Sequence, residues 1–283
     1  MLLVMTLLTG CGDEADIVTF KTSYGDIVAI LYDETPKHKE NFLKLTKEKF
    51  YDSTLFHRIM QGFMIQGGDP DSKNAQPGQP LGRGGPGYTV PAEFVPQYFH
   101  ERGALSAARL GDNMNPQKES SGSQFYIVQG RVISEIEYTL DARKMSAGLQ
   151  QMTKDDRYKP MMKELDSIYR TGDFNAYQAK IISLIPKVEE VTGSPVRRDV
   201  RPERIKAYTT VGGAPNLDDQ YTTFGKVLKG MDVVDKIAAS QVGPDPNGEM
   251  SLPLEQIRIT VTAKKMSKKQ IEKEFGYKFT AEK

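Results

Sequence analysis

The residue with the clearest capacity for charge-based chemistry is Arg58, which stands in the run from Phe56 to Asp69. A guanidinium is always charged, planar and rich in donors, so a fixed arginine can stabilise charge that develops on a bound molecule. The run predicts two short strands, and alternation places Arg58 on one face with Met60, and Met64 on one face with Gln66. Without its neighbours, such an arginine would be interpreted as a strand residue paired with an aspartate or glutamate.

Other common chemistries have little support in the sequence. There is one cysteine, Cys11, so no intramolecular disulfide can form. The histidines are His38, His57 and His100, and none has metal-ligand spacing to another or to Cys11, so we expect no metal site and no cofactor. His57 is predicted to point to the face opposite Arg58 and to be structural.

Composition also excludes classes of partner. The 283 residues carry a formal net charge of +1, and both signs are spread along the chain, which indicates neither nucleic acid nor an acidic substrate. The glycine clusters Gly67-Gly68 and Gly82–Gly87 lack the Lys-Ser/Thr ending and the following helix of a phosphate-binding loop, so that interpretation is rejected. We expect a monomer that binds no nucleic acid.

The first residues predict a secretion signal. Met1 to Thr9 are almost wholly apolar, but this run is shorter than the about 20 residues that span a bilayer. The segment Leu8-Thr9-Gly10-Cys11 resembles a bacterial lipobox, which implies cleavage before Cys11 and lipid on that cysteine. We therefore expect a lipid-anchored membrane protein of the bacterial cell envelope, outside the cytoplasm, with residues 1–16 as signal and linker. The alternative is a buried apolar segment with an incidental cysteine.

The elements around the candidate residues are mainly β. The turn Tyr24-Gly25 joins two strand patterns, and Thr35-Pro36 predicts the start of a helix. Residues 69–87 are rich in glycine and proline and predict a long functional loop. Many short strands with glycine-rich turns indicate a barrel or a sandwich. The further predicted elements are strands at Ile17–Lys21, Asp26–Tyr32, Ala104–Ala107, Ser123–Val128, Thr222–Leu228 and Gln256–Ala263, and a short helix at Met231–Ala239.

Between residues 132 and 204 the apolar spacing becomes helical. Apolar residues recur three or four apart in Tyr158–Tyr169 and again in Phe174–Ile185. Between these segments, Thr171-Gly172-Asp173 offers a glycine C-cap followed by an aspartate N-cap. We predict a helical insertion, mostly a helical hairpin, within a β domain. The lysine-rich tail at 265–283 predicts a solvated terminal helix, with contact to acidic lipids as the alternative.

Three segments, in order, resemble the cyclophilins. They are the run from Phe56 to Asp69, then Gly122-Ser123-Gln124-Phe125-Tyr126-Ile127, and then Leu217-Asp218 with Phe224-Gly225-Lys226-Val227. The resemblance implies a closed eight-stranded antiparallel barrel with a helix capping each end, here over residues 17–131 and 205–264. It also implies a peptidyl-prolyl cis-trans isomerase that acts on proline-containing polypeptides.

The resemblance further implies roles for individual residues. Arg58 would be the catalytic residue, directed at the proline nitrogen as the amide twists. Gln66 would hydrogen-bond the substrate backbone, and Gln124 would support the site. Ala108-Arg109 would bind the peptide through backbone atoms. The slot for the proline ring, with Tyr221 as a further substrate contact, would be formed by Phe63, Met64, Tyr126 and Leu217.

Some residues depart from the family pattern. Tyr126 replaces a common phenylalanine and brings a hydroxyl that needs a partner or water. Asn216 replaces a tryptophan of vertebrate members, which implies weak cyclosporin binding, and Tyr221 replaces a histidine, as in bacterial members. The alternative function is a non-catalytic, chaperone-like envelope lipoprotein that binds proline-containing segments, with the slot residues as ordinary core.

Overall fold

The computed structural model of the chain describes residues 13–76, 79–245 and 247–279. It divides into two compact units, one formed by Met1–Val132 with Val211–Lys283 and the other by Ile133–Thr210. Cys11 lies outside the described residues, so lipid attachment there stays a prediction. Within the described ranges, no helix is both long enough and apolar enough to cross a membrane.

Eight antiparallel strands of the first unit close into a barrel, as predicted. The strands are β1 (Glu14–Thr22), β2 (Gly25–Leu31), β3 (Thr54–Met60), β4 (Met64–Gly67), β5 (Ala104–Ala107), β6 (Phe125–Val128), β7 (Thr223–Lys229) and β8 (Arg258–Ser267). Around the barrel they follow the order β1-β8-β3-β4-β6-β5-β7-β2. The first strand therefore pairs with the last, and none of the eight has an open edge for pairing with another chain.

Helices and short sheets complete this unit. Two small sheets pair Thr89–Val90 with Ser120–Ser121, and Val242–Pro244 with Met250–Pro253. Proline and cap residues set the short 3₁₀ turns, as at Pro70, where Asp69 accepts a hydrogen bond from the Asp71 amide. The helices are Pro36–Lys47, Met231–Ala238 and Lys268–Phe275, with 3₁₀ turns at Pro70–Asn74 and Pro215–Leu217.

The barrel interior is a packed apolar core. The rings of Phe20 and Phe42 lie 5.1 and 5.7 Å from that of Phe125, centroid to centroid. Helices Pro36–Lys47 and Met231–Ala238 each bury an apolar face against the same core. Truncating one of these buried rings to alanine would destabilise the fold by about 3–5 kcal/mol. Because the interior is closely packed, the core gives the surrounding strands a rigid support for their side chains.

The second unit is helical, as predicted for the insertion. Gly172 has the left-handed φ of 75° that suits a glycine C-cap, and the Asp173 side chain accepts from the Ala176 amide at 2.9 Å, so both predicted caps are confirmed. Its core contains Met145, Met152, Tyr158, Leu165, Leu184, Ile185, Val188 and Val196. Its helices are Glu135–Thr139, Ala142–Thr153, Lys159–Thr171, Phe174–Ser183, Ile185–Thr192 and Pro202–Thr210, with a 3₁₀ turn at Asp156–Tyr158.

The boundaries differ from those predicted. β1 begins at Glu14, so residues 14–16 pair with β8 and are not a linker. The helix Pro202–Thr210 belongs to the second unit, because Tyr208 is fully buried and its ring meets that of Tyr138 at 4.9 Å. The insertion is therefore Ile133–Thr210 and not 132–204, and residues 205–210 are not part of the barrel.

The described part of the C-terminal tail contains the predicted helix, which is mostly exposed but packs through one buried residue. Among its described residues, 265–267 extend β8 and Lys268–Phe275 form a helix. Ile271 of this helix is fully buried, in a cluster with Ile17 and Tyr32 of the barrel region. Lys269 and Lys273 lie on the exposed face of this helix, and the buried Ile271 attaches its other face to the barrel unit.

Candidate active site

Three adjacent barrel strands place the predicted polar residues in one row. In the β3–β4 pair Arg58 stands opposite Gln66 and Met60 stands opposite Met64. In the next pair Gln66 stands opposite Tyr126. Cross-strand neighbours have side chains about 5 Å apart on one face, so Arg58, Gln66 and Tyr126 line a common surface. A β-bulge between Phe56 and Arg58 shifts the register next to this row, and bulges are frequent beside functional sites.

A cavity of about 210 Å³ lies on this surface. Gln124 is the one predicted substrate-site residue that does not line it, and Asn216 also lies outside the lining. Its polar groups include the two arginines and Gln66, and apolar side chains such as Phe63, Met64 and Leu217 form much of the rest of the wall. The structure thus brings together nine residues that the sequence singled out, namely Arg58, Phe63, Met64, Gln66, Ala108, Arg109, Tyr126, Leu217 and Tyr221.

Arg58 is held by three neighbours. Its Nη1 donates to Gln66 Oε1 at 3.4 Å, and its Nη2 lies 3.0 Å from Met60 Sδ. Its Nε and Nη2 both donate to Oε2 of Glu249, at 3.2 and 2.9 Å. Arg58 is thus paired with a carboxylate, as in the alternative interpretation of a strand arginine, and it also lines the cavity. The side chain is 34% exposed, so its charge stays within reach of a bound molecule.

The hydroxyl of Tyr126 has the partner that its burial requires. Its oxygen lies 2.8 Å from His100 Nε2, and His100 Nδ1 lies 3.1 Å from Asp218 Oδ1. Tyr126 is 4% exposed, and burial raises the pKa of its hydroxyl well above the usual value, so the group stays neutral. His100 and Asp218 were not predicted as site residues, since nothing local in the sequence joins them to Tyr126.

Gln66 is fixed from behind by Gln124. The Gln66 Nε2 donates to Gln124 Oε1 at 3.1 Å, and the Gln124 Nε2 donates to the Gly84 carbonyl at 2.8 Å. Asp69 holds the same loop by accepting from the Gly82 and Gly84 amides at 2.5 and 3.3 Å. The loop predicted at 69–87 is therefore connected to the cavity through one glutamine pair.

The Arg109 side chain lines the cavity, while the backbone contact with a peptide that the resemblance implies for Ala108-Arg109 stays a prediction. Its guanidinium lies 4.5 Å from the centre of the Tyr221 ring, a cation–π distance, and its Nε donates to the Gln220 carbonyl at 2.8 Å. Its Nη1 donates to the Leu110 carbonyl at 2.9 Å and forms an ion pair with Asp112 at 2.7 Å, and the side chain is only 4% exposed. The Ala108 amide and carbonyl both take part in backbone hydrogen bonds, to Gln124 and Ser121.

His57 lies outside this cavity. It lines a second one, of about 160 Å³, together with Leu81 and Leu254. Neither ring nitrogen has a hydrogen-bond partner among the described residues, and burial lowers the pKa of the ring to about 4. Within the part of the chain that the structure describes, no three His, Cys, Asp or Glu side chains form a group that could hold a metal ion.

The family model of the cyclophilin type peptidyl-prolyl cis-trans isomerases matches residues 17–147 and 203–264, which is more than half of the chain. The chain therefore belongs to this family of enzymes. The matched ranges contain all the residues that line the cavity of about 210 Å³, and the gap between them lies within the helical unit.

Two bacterial relatives show how far the similarity extends. A protein of Streptococcus pyogenes, named as an inferred bifunctional phosphatase and peptidyl-prolyl cis-trans isomerase, is 32% identical over 248 residues. The match covers 86% of this chain but 38% of that protein. A protein of Staphylococcus saprophyticus, named as an inferred peptidyl-prolyl cis-trans isomerase, is 27% identical over 252 residues, which are 88% of this chain and 93% of the relative.

Among solved structures, a cyclophilin type peptidyl-prolyl cis-trans isomerase of Cryptosporidium parvum matches with a TM-score of 0.49 and 19% identity. The match covers 88% of this chain and 98% of that protein.

Proposed function

We propose that this protein accelerates the cis-trans isomerisation of X-Pro bonds in exported polypeptides, and that Arg58 stabilises the twisted amide above an apolar pocket. The observation that carries the proposal is the row of Arg58, Gln66 and Tyr126 on three paired strands, beside a cavity that the apolar side chains of Phe63 and Leu217 help to line. Membership of the family supports the reaction class.

The reaction explains why such a site suffices. Amide resonance imposes a barrier of about 18–20 kcal/mol on rotation of the peptide bond, and isomerisation requires neither a nucleophile nor proton transfer. An enzyme has to bind the twisted amide more tightly than either planar form. As the bond twists, the proline nitrogen becomes pyramidal and gains a lone pair, which a fixed cationic donor stabilises.

Arg58 is the donor in this proposal, and its neighbours divide the remaining tasks. The cavity has room for a five-membered ring, and its apolar wall would hold the proline while the preceding carbonyl turns. Gln66, fixed by Gln124 at 3.1 Å, would bind the substrate backbone. Tyr126 would present its ring to the proline, because its hydroxyl is engaged by His100 at 2.8 Å.

The first prediction concerns Arg58→Ala. We expect kcat/KM on a short X-Pro peptide to fall about 100-fold or more, the scale for removal of one preorganised donor. Arg143→Ala, which removes an exposed arginine of the helical unit, should match the wild type. An inactive wild type that still binds the peptide would favour the alternative of a non-catalytic proline-binding protein. An active Arg58→Ala protein would exclude the proposed role of this arginine.

The second prediction concerns location. The lipobox-like Leu8-Thr9-Gly10-Cys11 supports attachment to a membrane of the bacterial envelope, where exported proteins fold. Cys11→Ser should incorporate no labelled fatty acid and should move from the membrane fraction to the soluble fraction, because a covalent lipid supplies the affinity. If the variant stays with the membranes, lipid on Cys11 is not the anchor.

A further inference from the structure

A carboxylate from a distant part of the chain holds one edge of the Arg58 guanidinium. Glu249 stands immediately before the short strand Met250–Pro253, and its Oε2 accepts from both Nε and Nη2 of Arg58, at 3.2 and 2.9 Å. Glu249 does not line the cavity of about 210 Å³, whereas Arg58 does. The carboxylate therefore contacts the arginine from outside the pocket.

The contact divides the donors of the guanidinium into two groups. The Nε–H and one Nη2–H form the side edge of the fork, and Glu249 occupies that edge. The Nη1 group remains directed to Gln66, at a long 3.4 Å. A hydrogen bond of that length constrains a side chain weakly, so the two charge-assisted contacts of Glu249, together with the Met60 Sδ contact of Nη2, define the rotation of the fork.

The backbone of Glu249 is held by Asp245. The Glu249 amide donates to Asp245 Oδ1 at 2.9 Å, and the Glu249 carbonyl accepts from the Asp245 amide at 2.7 Å. The same carboxyl oxygen also accepts from the Asn247 amide, and these amides hold the pKa of Asp245 below its usual value. The Glu249 backbone is therefore held without help from Arg58, and its carboxylate extends to the arginine from this fixed point.

We propose that Glu249 is a positioning residue for the isomerisation, which holds the side edge of Arg58 so that Nη1 faces the proline pocket. This inference rests on the proposed function. A carboxylate that competed with the substrate for Arg58 would have the opposite effect, because its removal would then increase activity. The sign of the change in rate therefore separates positioning from competition.

The kinetic test compares Glu249→Ala and Glu249→Gln with the wild type on one X-Pro peptide. For Glu249→Ala we expect kcat to fall about 3- to 5-fold, the scale for a partly exposed ion pair, with KM little changed, since a transition-state contact is lost. Glu249→Gln keeps an acceptor oxygen and should recover part of the rate. Glu255→Gln, which removes a charge whose partner is the Tyr24 hydroxyl, is the matched control and should match the wild type. An unchanged or increased kcat in Glu249→Ala would overturn the proposal.

A spectroscopic test measures the orientation without activity. In ¹⁵N-labelled protein the Arg58 Nε–H signal, assigned by its loss in Arg58→Lys, should be protected from solvent exchange in the wild type. Glu249→Ala should shift it and speed its exchange, and an unchanged signal would overturn the proposal. Arg58→Ala is assayed alongside: if it is as active as the wild type, the proposed role of Arg58 fails, and the role of Glu249 fails with it. If it is inactive while Glu249→Ala equals the wild type, only the role of Glu249 fails.

Discussion

At the residue scale, Tyr126 shows how a polar atom is accommodated in an apolar pocket. A phenol in place of a phenyl ring adds one buried hydroxyl, which without a partner would destabilise the fold by about 1–3 kcal/mol. His100 supplies that partner at 2.8 Å and is itself held by Asp218. The ring of Tyr126 can therefore remain a wall of the cavity while its hydroxyl lies in a buried network.

His57 gives the third prediction, which concerns pH. In the unfolded chain this residue has the ordinary pKa of 6.5. In the folded protein burial lowers its pKa to about 4, so the ring is protonated only at a lower pH. The unfolded state thus holds more protons between these values, and the free energy of unfolding should fall by about 3 kcal/mol as the pH drops from 6.5 to 4.

The measurement is urea denaturation across this pH range, for the wild type and for His57→Leu. The variant should lose the pH dependence of the free energy of unfolding that His57 contributes. A smaller slope should persist, because burial also lowers the pKa of His38. Parallel curves for the two proteins would show that His57 does not titrate as its burial requires.

At the element scale, the parts of the fold carried by local pattern could be predicted. Alternation and the turn at Gln61-Gly62 define the β3–β4 hairpin, and with it the faces of Arg58 and Gln66. The helical spacing of the insertion and the caps at Gly172 and Asp173 are also local signals. A resemblance over the flanking motifs then indicated which residues meet at the pocket, including Leu217, which no periodicity could place there.

Contacts between distant segments could not be predicted. Glu249 is 191 residues from Arg58 in the chain, and no local feature joins it to the arginine. The same holds for His100 with Tyr126, and for the side chain of Arg109 against Tyr221. The packing of Ile271 in the terminal helix could not be predicted either, because it depends on a surface that the sequence alone does not display.

The fourth prediction tests how the β4–β6 pair positions the pocket. Gly68 has φ of 88°, and a Cβ there would lie 2.3 Å from the Ser123 carbonyl oxygen. Gly62 has a similar φ of 76° with nothing within 4 Å of a Cβ, so it is a matched control for backbone strain alone. Gly62→Ala should destabilise by about 1–2 kcal/mol, and Gly68→Ala by about 3 kcal/mol or more, since the clash adds to the strain.

Gly68→Ala should also lower kcat/KM more than Gly62→Ala does, because a shift of β4 against β6 moves Gln66 away from Tyr126. Thermal unfolding and a peptide assay on both variants provide the comparison. Equal effects of the two substitutions would show that the approach of Ser123 to Gly68 does not matter for the site.

At the scale of the whole molecule, the helical unit is inserted between two segments of the barrel unit that are hydrogen-bonded to each other. The Gly213 amide donates to the Arg131 carbonyl at 3.1 Å, and the Arg131 amide donates to the Gly213 carbonyl at 3.4 Å. The two points where the chain leaves and re-enters the first unit are thus adjacent. Little chain is needed to connect them, and closing a short loop is entropically inexpensive.

The fifth prediction is that a short Gly-Ser linker can replace Ile133–Thr210. The deletion must include the helix Pro202–Thr210, because Tyr208 packs on Tyr138 of the same unit. The shortened protein should fold cooperatively. We propose that the unit restricts or extends substrate binding, since the chain enters it after β6 and leaves it before Leu217. Activity on a peptide and on a folded protein substrate should then change by different factors, and no change on either would contradict the proposal.

The pairing of β1 with β8 has a consequence for biogenesis. Glu14 meets Ser267, and β8 also lies beside β3, so the sheet stays open on two sides until the last strand arrives. During synthesis, which delivers the chain from its N-terminus, the early strands keep exposed edges until a segment made more than two hundred residues later is available. Such distant pairing makes folding slow, and a nascent chain that stops before Arg258 offers its edges to any neighbour, so the waiting period is when this molecule most needs protection from aggregation.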